Sequence, residues 1–251
     1  YSGLADCLCI LSLWGLLPPE AGCGKARGLA LQALALEPDL AEAHTSLAWS
    51  TFNYDYDFVA AEKGYKRSIQ LNQNYDTVRR WYGISLSMIG RYEEGRIELE
   101  NAIRLDPCSS GHHWALGFVH WRARKYEQAI AEHEKSLELE PNFGQAHWGM
   151  GIALSELRPG DSAITHLRKA CELTRDAPIT VASLAEGYAA AGQVDEARGI
   201  LNKLPEITKQ DYVMPYFVAR IHATLGQNSV ALDWLEKGYQ QHAEWMPLLV
   251  H

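Results

Sequence analysis

The chain has 251 residues, 47% hydrophobic and 22% charged, and its 31 acidic against 23 basic side chains leave a net charge of −8. This is the balance of a folded protein with a sizeable core, which excludes a disordered or collagen-like chain. Scattered Lys and Arg on an acidic background offer no surface for nucleic-acid phosphates, and five cysteines without metal-like spacing argue against a disulfide scaffold.

The first predicted element is a helix carrying the apolar run LCILSLWGLL, residues 8–17. The run is about half the ~20 residues a membrane-spanning helix needs. Acidic Asp6 precedes it where an export signal would be basic, and Glu20 stands where a lipoprotein cleavage site would be aliphatic. A buried first helix ended by Pro18-Pro19 is expected, with no membrane insertion. The chain opens at Tyr1 inside this helical pattern, so it is expected to be a piece of a longer protein. The unpaired thiols lean toward the cytoplasm, with the extracytoplasmic part of a membrane-anchored regulator as the alternative.

Beyond this helix the pattern repeats every 34 residues. Small residues recur at Ala61, Gly95, Ala129, Ala163, Ala197 and Ala231, and leucines at Leu71, Leu105, Leu139 and Leu173. A third column runs Gly83, Gly117, Gly151, Ala185 and Ala219, and a turn column runs Gly90, Arg124, Arg158 (before Pro159-Gly160), Gly192 and Gly226. Between these marks apolar residues fall at helical spacing, as in Ile97, Leu99, Ala102, Ile103 and Leu105. The segments Leu36-Glu37-Pro38, Leu105-Asp106-Pro107 and Leu139-Glu140-Pro141 end a second helix. Each unit therefore reads as a helical hairpin whose small residues allow close helix approach and whose apolar face needs a stacked neighbour.

These columns make the chain similar to tetratricopeptide-repeat proteins. The third repeat carries the pattern as Tyr82-Gly83, Gly90, Tyr92, Gly95, Leu99, Ala102 and Pro107; the fourth as Leu116-Gly117, Tyr126, Ala129 and Pro141; the fifth as Met150-Gly151, Leu154, Ala163 and Ala170. The resemblance implies one all-α, right-handed superhelical solenoid domain over 1–251. Its seven hairpins would be about 1–40, 41–75, 76–109, 110–143, 144–177, 178–211 and 212–251. The segments SGLADC (2–7), LAEAHTSLAW (40–49) and VAAEKGYKRSIQLNQNY (59–75) further resemble repeat regions attached to bacterial signalling proteins.

The resemblance also implies a concave groove lined by the first helix of each hairpin. Carried over, its inward positions are Thr45, Trp49 and Phe52; Arg80, Ile84 and Ser87; Trp114, Phe118 and Trp121, beside Arg122; Trp148, Ile152 and Ser155; and Tyr216 and Arg220. The expected partner is a protein or peptide with an apolar or aromatic segment, its acidic group met by Arg80, Arg122 or Arg220. Trp at helical spacing also fits core packing; that reading is the stronger for Trp114 and Trp148, and the groove reading for Phe118 and Trp121. A small-molecule or signal-peptide sensor is the alternative.

His44, His113 and His147 occupy one place in successive repeats, too far apart to share an ion, so no metal is expected. No cofactor and no catalytic constellation is expected either. The apolar ending Trp245-Met246-Pro247-Leu248-Leu249-Val250 lacks a polar cap and is expected to be covered by further sequence or to mediate self-association.

Overall fold

A computed structural model of the chain describes residues 1–208 and 212–250. Those residues form fourteen α-helices and no strand, paired as consecutive antiparallel hairpins. The helices group into two compact units, one of residues 1–107 with 241–251 and one of 108–240.

The first unit holds α1 (Ser2–Leu13) and α2 (Lys25–Leu36), α3 (Ala41–Ser50) and α4 (Phe58–Leu71), and α5 (Asp76–Met88) and α6 (Tyr92–Leu105). Its α1 ends at Leu13, ahead of the point where Pro18-Pro19 was expected to stop it. Gly15 supplies the turn with φ +77. Pro19 adopts helical angles and opens a π-helical turn, Glu20–Gly24, that runs directly into α2. Proline suits such a start because a first-turn N–H has no partner to lose. A second π-helical turn, Thr51–Asp55, extends α3.

The second unit holds α7 (Ser110–Arg122) and α8 (Tyr126–Leu139), α9 (Gly144–Leu157) and α10 (Asp161–Thr174), α11 (Pro178–Ala190) and α12 (Val194–Thr208), and α13 (Pro215–Thr224) and α14 (Asn228–Gln240). From the second hairpin on, the first helix is the more buried one, as Val78 and Trp81–Met88 in α5 are buried against only Gly95, Leu99 and Ala102 in α6. A helix with neighbours on several sides must be apolar nearly all round, whereas its partner keeps one solvated face.

The small-residue columns do the expected work. A Cβ on Gly83 would come within 2.8 Å of the Gly95 carbonyl oxygen, and one on Gly95 within 2.6 Å of that of Gly83. At Gly117 the close neighbour is not backbone but the ring of His133, which Gly149 meets from the next hairpin.

The apolar C-terminal segment, expected to be covered by further sequence or by another copy, packs on the first unit. Ala243, Trp245, Met246 and Leu248 are buried, and a short 3-10 turn, Met246–Val250, packs against α5 in the first unit. These apolar side chains find cover on their own chain.

Candidate functional site

In the second unit α9, α11 and α13 are the first helices of three successive hairpins. They enclose a cavity of about 140 Å³ lined by Ile152, Ser155 and Glu156 from α9, Ser183, Glu186, Gly187 and Ala190 from α11, and Arg220 and Thr224 from α13. Spacings of three, four and seven residues put each set on one helix face. Gly187 keeps the wall thin, since a Cβ there would lie 2.5 Å from Leu167.

Arg220 organises the charge. Its guanidinium donates to Glu186 Oε1 at 2.6 Å and reaches Glu156 Oε1 at 3.4 Å. The same group lies 5.4 Å above the Trp121 ring and 5.9 Å from that of Tyr216. Two carboxylates and two π faces hold it charged: burial opposes the cation, but Glu186, Tyr216 and Glu156 outweigh it and raise its pKa. Burial pushes the Glu186 carboxyl upward, against the pull of Arg220. Glu156, with 41% of its side chain exposed, is the open side of the cluster. The wall carries two carboxylates against one guanidinium.

The hydroxyls of the wall are engaged. Ser155 donates to the Gly151 carbonyl, Ser183 accepts the Trp148 indole N–H at 2.8 Å, and Thr224 donates to the Arg220 carbonyl. Among the described residues, no imidazole, thiol or amine lines the cavity.

The aromatic residues singled out in the sequence are placed differently from an open stripe. Phe118 and Trp121, read there as groove residues, are 2% and 7% exposed, and Trp148 is 1% exposed. Phe118 stacks between Trp121 and Trp148 at 5.6 and 6.4 Å, so these rings are packing and carry the floor beneath Arg220. They are covered because each faces the next hairpin's first helix, which the spacing along one helix does not reveal. Trp114 is half-buried, 6.4 Å from Trp148, with its indole nitrogen buried and without a hydrogen-bond partner. Arg122, at the end of α7, is half-buried.

Trp49 and Arg80 belong to the first unit. Trp49 is buried and packs on Trp81 at 5.0 Å. Arg80 is half-buried, and burial lowers its pKa against the pull of Asp76, Tyr75 and Asp6. Of the positions singled out in the sequence, Trp121, Tyr216 and Arg220 are joined in one cluster with Glu156 and Glu186, which the sequence reading did not name. The signal was present: the inward column Ile84, Phe118, Ile152 continues in steps of 34 to Glu186 and Arg220.

The equivalent histidines are each engaged by nearby groups. His113 pairs with Glu132 at 2.8 Å, His147 Nδ1 meets His166 Nδ1 at 3.0 Å, and His44 and His147 each bond the carbonyl of the proline six residues earlier. Among the described residues no helix is long and apolar enough to cross a membrane.

No family model and no curated protein sequence matches the chain. Solved structures do. A thermophilic TPR protein of Thermus thermophilus, TTC0263, superposes with a TM-score of 0.65 at 19% identity, covering 74% of this chain and 98% of that one. PilF of Pseudomonas aeruginosa gives 0.56 at 23% identity, with 87% and 96% covered. Human IFIT1, solved as a dimer with m7Gppp-AAAA, gives 0.65 at 17% identity, with 95% of this chain and 59% of that one covered. Together with the helical hairpins and their 34-residue register, these likenesses identify the fold as that of the tetratricopeptide-repeat solenoids.

Proposed function

We propose that the chain is a non-catalytic scaffold, one solenoid that holds a protein or peptide segment against the inner helices α9, α11 and α13. The observation that carries this is the cavity around Arg220, whose wall holds one more carboxylate than cation. The expectation that Arg220 greets an acidic group is revised accordingly. Its donors already serve Glu186 and Glu156, so an incoming carboxylate would face two like charges. A Lys or Arg side chain of a partner suits the site: about 140 Å³ accepts one such side chain, and Glu156 offers it an open acceptor. The wall's serines, each already engaged in a hydrogen bond, support binding over catalysis. The wording of residues 2–7, 40–49 and 59–75 supports a place in a bacterial signalling protein.

Screening a displayed peptide library against the wild type, Glu156→Gln and Glu156→Gln/Glu186→Gln tests this reading. Peptides carrying Lys or Arg are expected to be enriched by the wild type and to lose ten- to a hundredfold in affinity on the double variant, the range of one or two charge-assisted hydrogen bonds. Equal binding by all three proteins sinks it. The cavity volume also suits a free small amine, the sensor reading; calorimetry with arginine or agmatine in place of peptides separates the two.

A further inference from the structure

Residues 241–249 sit on the first unit through contacts that link positions far apart in sequence. The Trp245 indole donates to the Leu13 carbonyl at 2.9 Å, and the Tyr56 hydroxyl donates to the Ala243 carbonyl at 3.0 Å. His242 donates from Nδ1 to the Tyr54 carbonyl at 2.8 Å, and its ring lies 5.1 and 5.7 Å from those of Tyr54 and Tyr56. At the centre is Glu244, fully buried, with Oε1 receiving the Ser12 hydroxyl and Oε2 without any hydrogen-bond partner.

A carboxylate needs several donors; here the Ser12 hydroxyl and a backbone hydrogen bond serve it, and Oε2 has none. Among the described residues no cation faces it. The titratable groups around it are Cys23, on the first π-helical turn, and behind it Cys9 of α1; both thiols are buried. Tyr54, on the second π-helical turn, and Tyr56, just after that turn, flank the segment, and His242 precedes Glu244 in the chain. No charged side chain of α1, α5, either π-helical turn or the tail enters the electrostatics of Glu244, where burial is the leading influence, opposed by Ser12 and a backbone hydrogen bond. The seat is close-packed: Ser12, Cys9 and Cys23 have no exposed surface, and a Cβ on Gly22 would fall 2.2 Å from Ser12 Cβ. There is no room here to hydrate an anion.

We propose that residues 241–249 are a reversible strap, an intramolecular ligand of the first unit that docks while Glu244 carries its proton and is released as that proton is lost. Release uncovers the Leu13 carbonyl, Ser12 and the rings of Tyr54 and Tyr56. It also frees a short segment with a central acid and Trp. The docked carboxyl holds its proton up to about pH 8, against an ordinary value of 4.5. Docking is therefore strongest below pH 4.5 and weakens as pH rises through that window, by tenfold per unit, before levelling off above 8.

Hydrogen–deuterium exchange of the full chain between pH 5 and 9, corrected for intrinsic rates, tests the strap. Protection of the tail amides is expected to fall about tenfold per pH unit up to about 8 in the wild type. It should be flat in Glu244→Gln and in Glu244→Met, which adds no hydrogen-bond donor. A flat wild-type profile, or the same slope in either neutral variant, overturns the proposal. If neither variant docks, the infrared spectrum decides: a protonated-carboxyl band at pH 6.5 that both variants lack supports the strap, and its absence from the wild type refutes it.

Discussion

His133 stands where the other hairpins carry an apolar or aromatic anchor: Tyr65, Leu99 and Leu167 are its equivalents in the 34-residue register. The imidazole is fully buried between Gly117 and Gly149, and neither ring nitrogen has a hydrogen-bond partner. Burial lowers its pKa to about 3, with smaller contributions from His120 and His166. The group is neutral in the folded state, while its unfolded counterpart protonates near 6.5. Stability is thus fully present above pH 6.5 and declines by about 1.4 kcal/mol per unit as pH falls toward 3. Replacing it with the Leu of its equivalents, His133→Leu, is expected to raise stability at pH 7 by about 1–3 kcal/mol by removing two unsatisfied nitrogens. Urea titrations at several pH values should show this slope in the wild type but not in the variant; parallel curves would contradict the assignment. The position was visible in the repeat register, but the missing partners were not, because they depend on what α7 and α9 bring to the ring.

The recurring element is a hairpin closed by one kind of cap. Gly90, Arg124, Gly192 and Gly226 all have φ between +58 and +81, and the following amide bonds back to the carbonyl five residues earlier at 2.8–2.9 Å in each case. This is the six-to-one bond of a left-handed helix cap. The turn column seen in the sequence is therefore a cap column, with one displacement. Arg158 is extended at φ −156, because the residue before a proline avoids the helical region, and Gly160 makes the turn. Arg124 is the one cap of the four that places a β-carbon in the left-handed region. Arg124→Gly is expected to raise stability by about 0.5–1 kcal/mol, the strain relieved less the extra freedom gained by the unfolded chain. A higher urea midpoint at unchanged m-value would bear this out, and a lower midpoint would count against it. The same register sets a polar clasp between the two helices of a hairpin: Arg79–Glu98, His113–Glu132 and His147–His166 are each separated by 19 residues.

At the scale of the molecule, the first unit is completed from the far end of the chain. Trp245, Met246 and Leu248 are buried there, each contributing roughly 1.5–3 kcal/mol of apolar burial relative to exposure. A chain ending at Gln240 is expected to show faster amide exchange across residues 1–107 and a thermal transition lower by about 5 °C or more. Exchange there that matches the intact chain would mean that the segment adds nothing to the unit.

The hairpins, their register, their caps and the close helix contact at Gly83 and Gly95 were all readable from sequence, because each depends on residues within one 34-residue unit. Local geometry follows from local spacing. Tertiary packing alone decided the rest. Phe118, Trp121 and Trp148 are floor and not surface because a neighbouring hairpin covers them, and Arg220 is spoken for because α9 and α11 bring Glu156 and Glu186 to it. The apolar segment around Trp245 is covered because it meets Ser12 and Leu13 across 232 residues of chain. Burial and pairing are properties of what arrives from elsewhere in the chain, and a helical pattern carries no record of its neighbour.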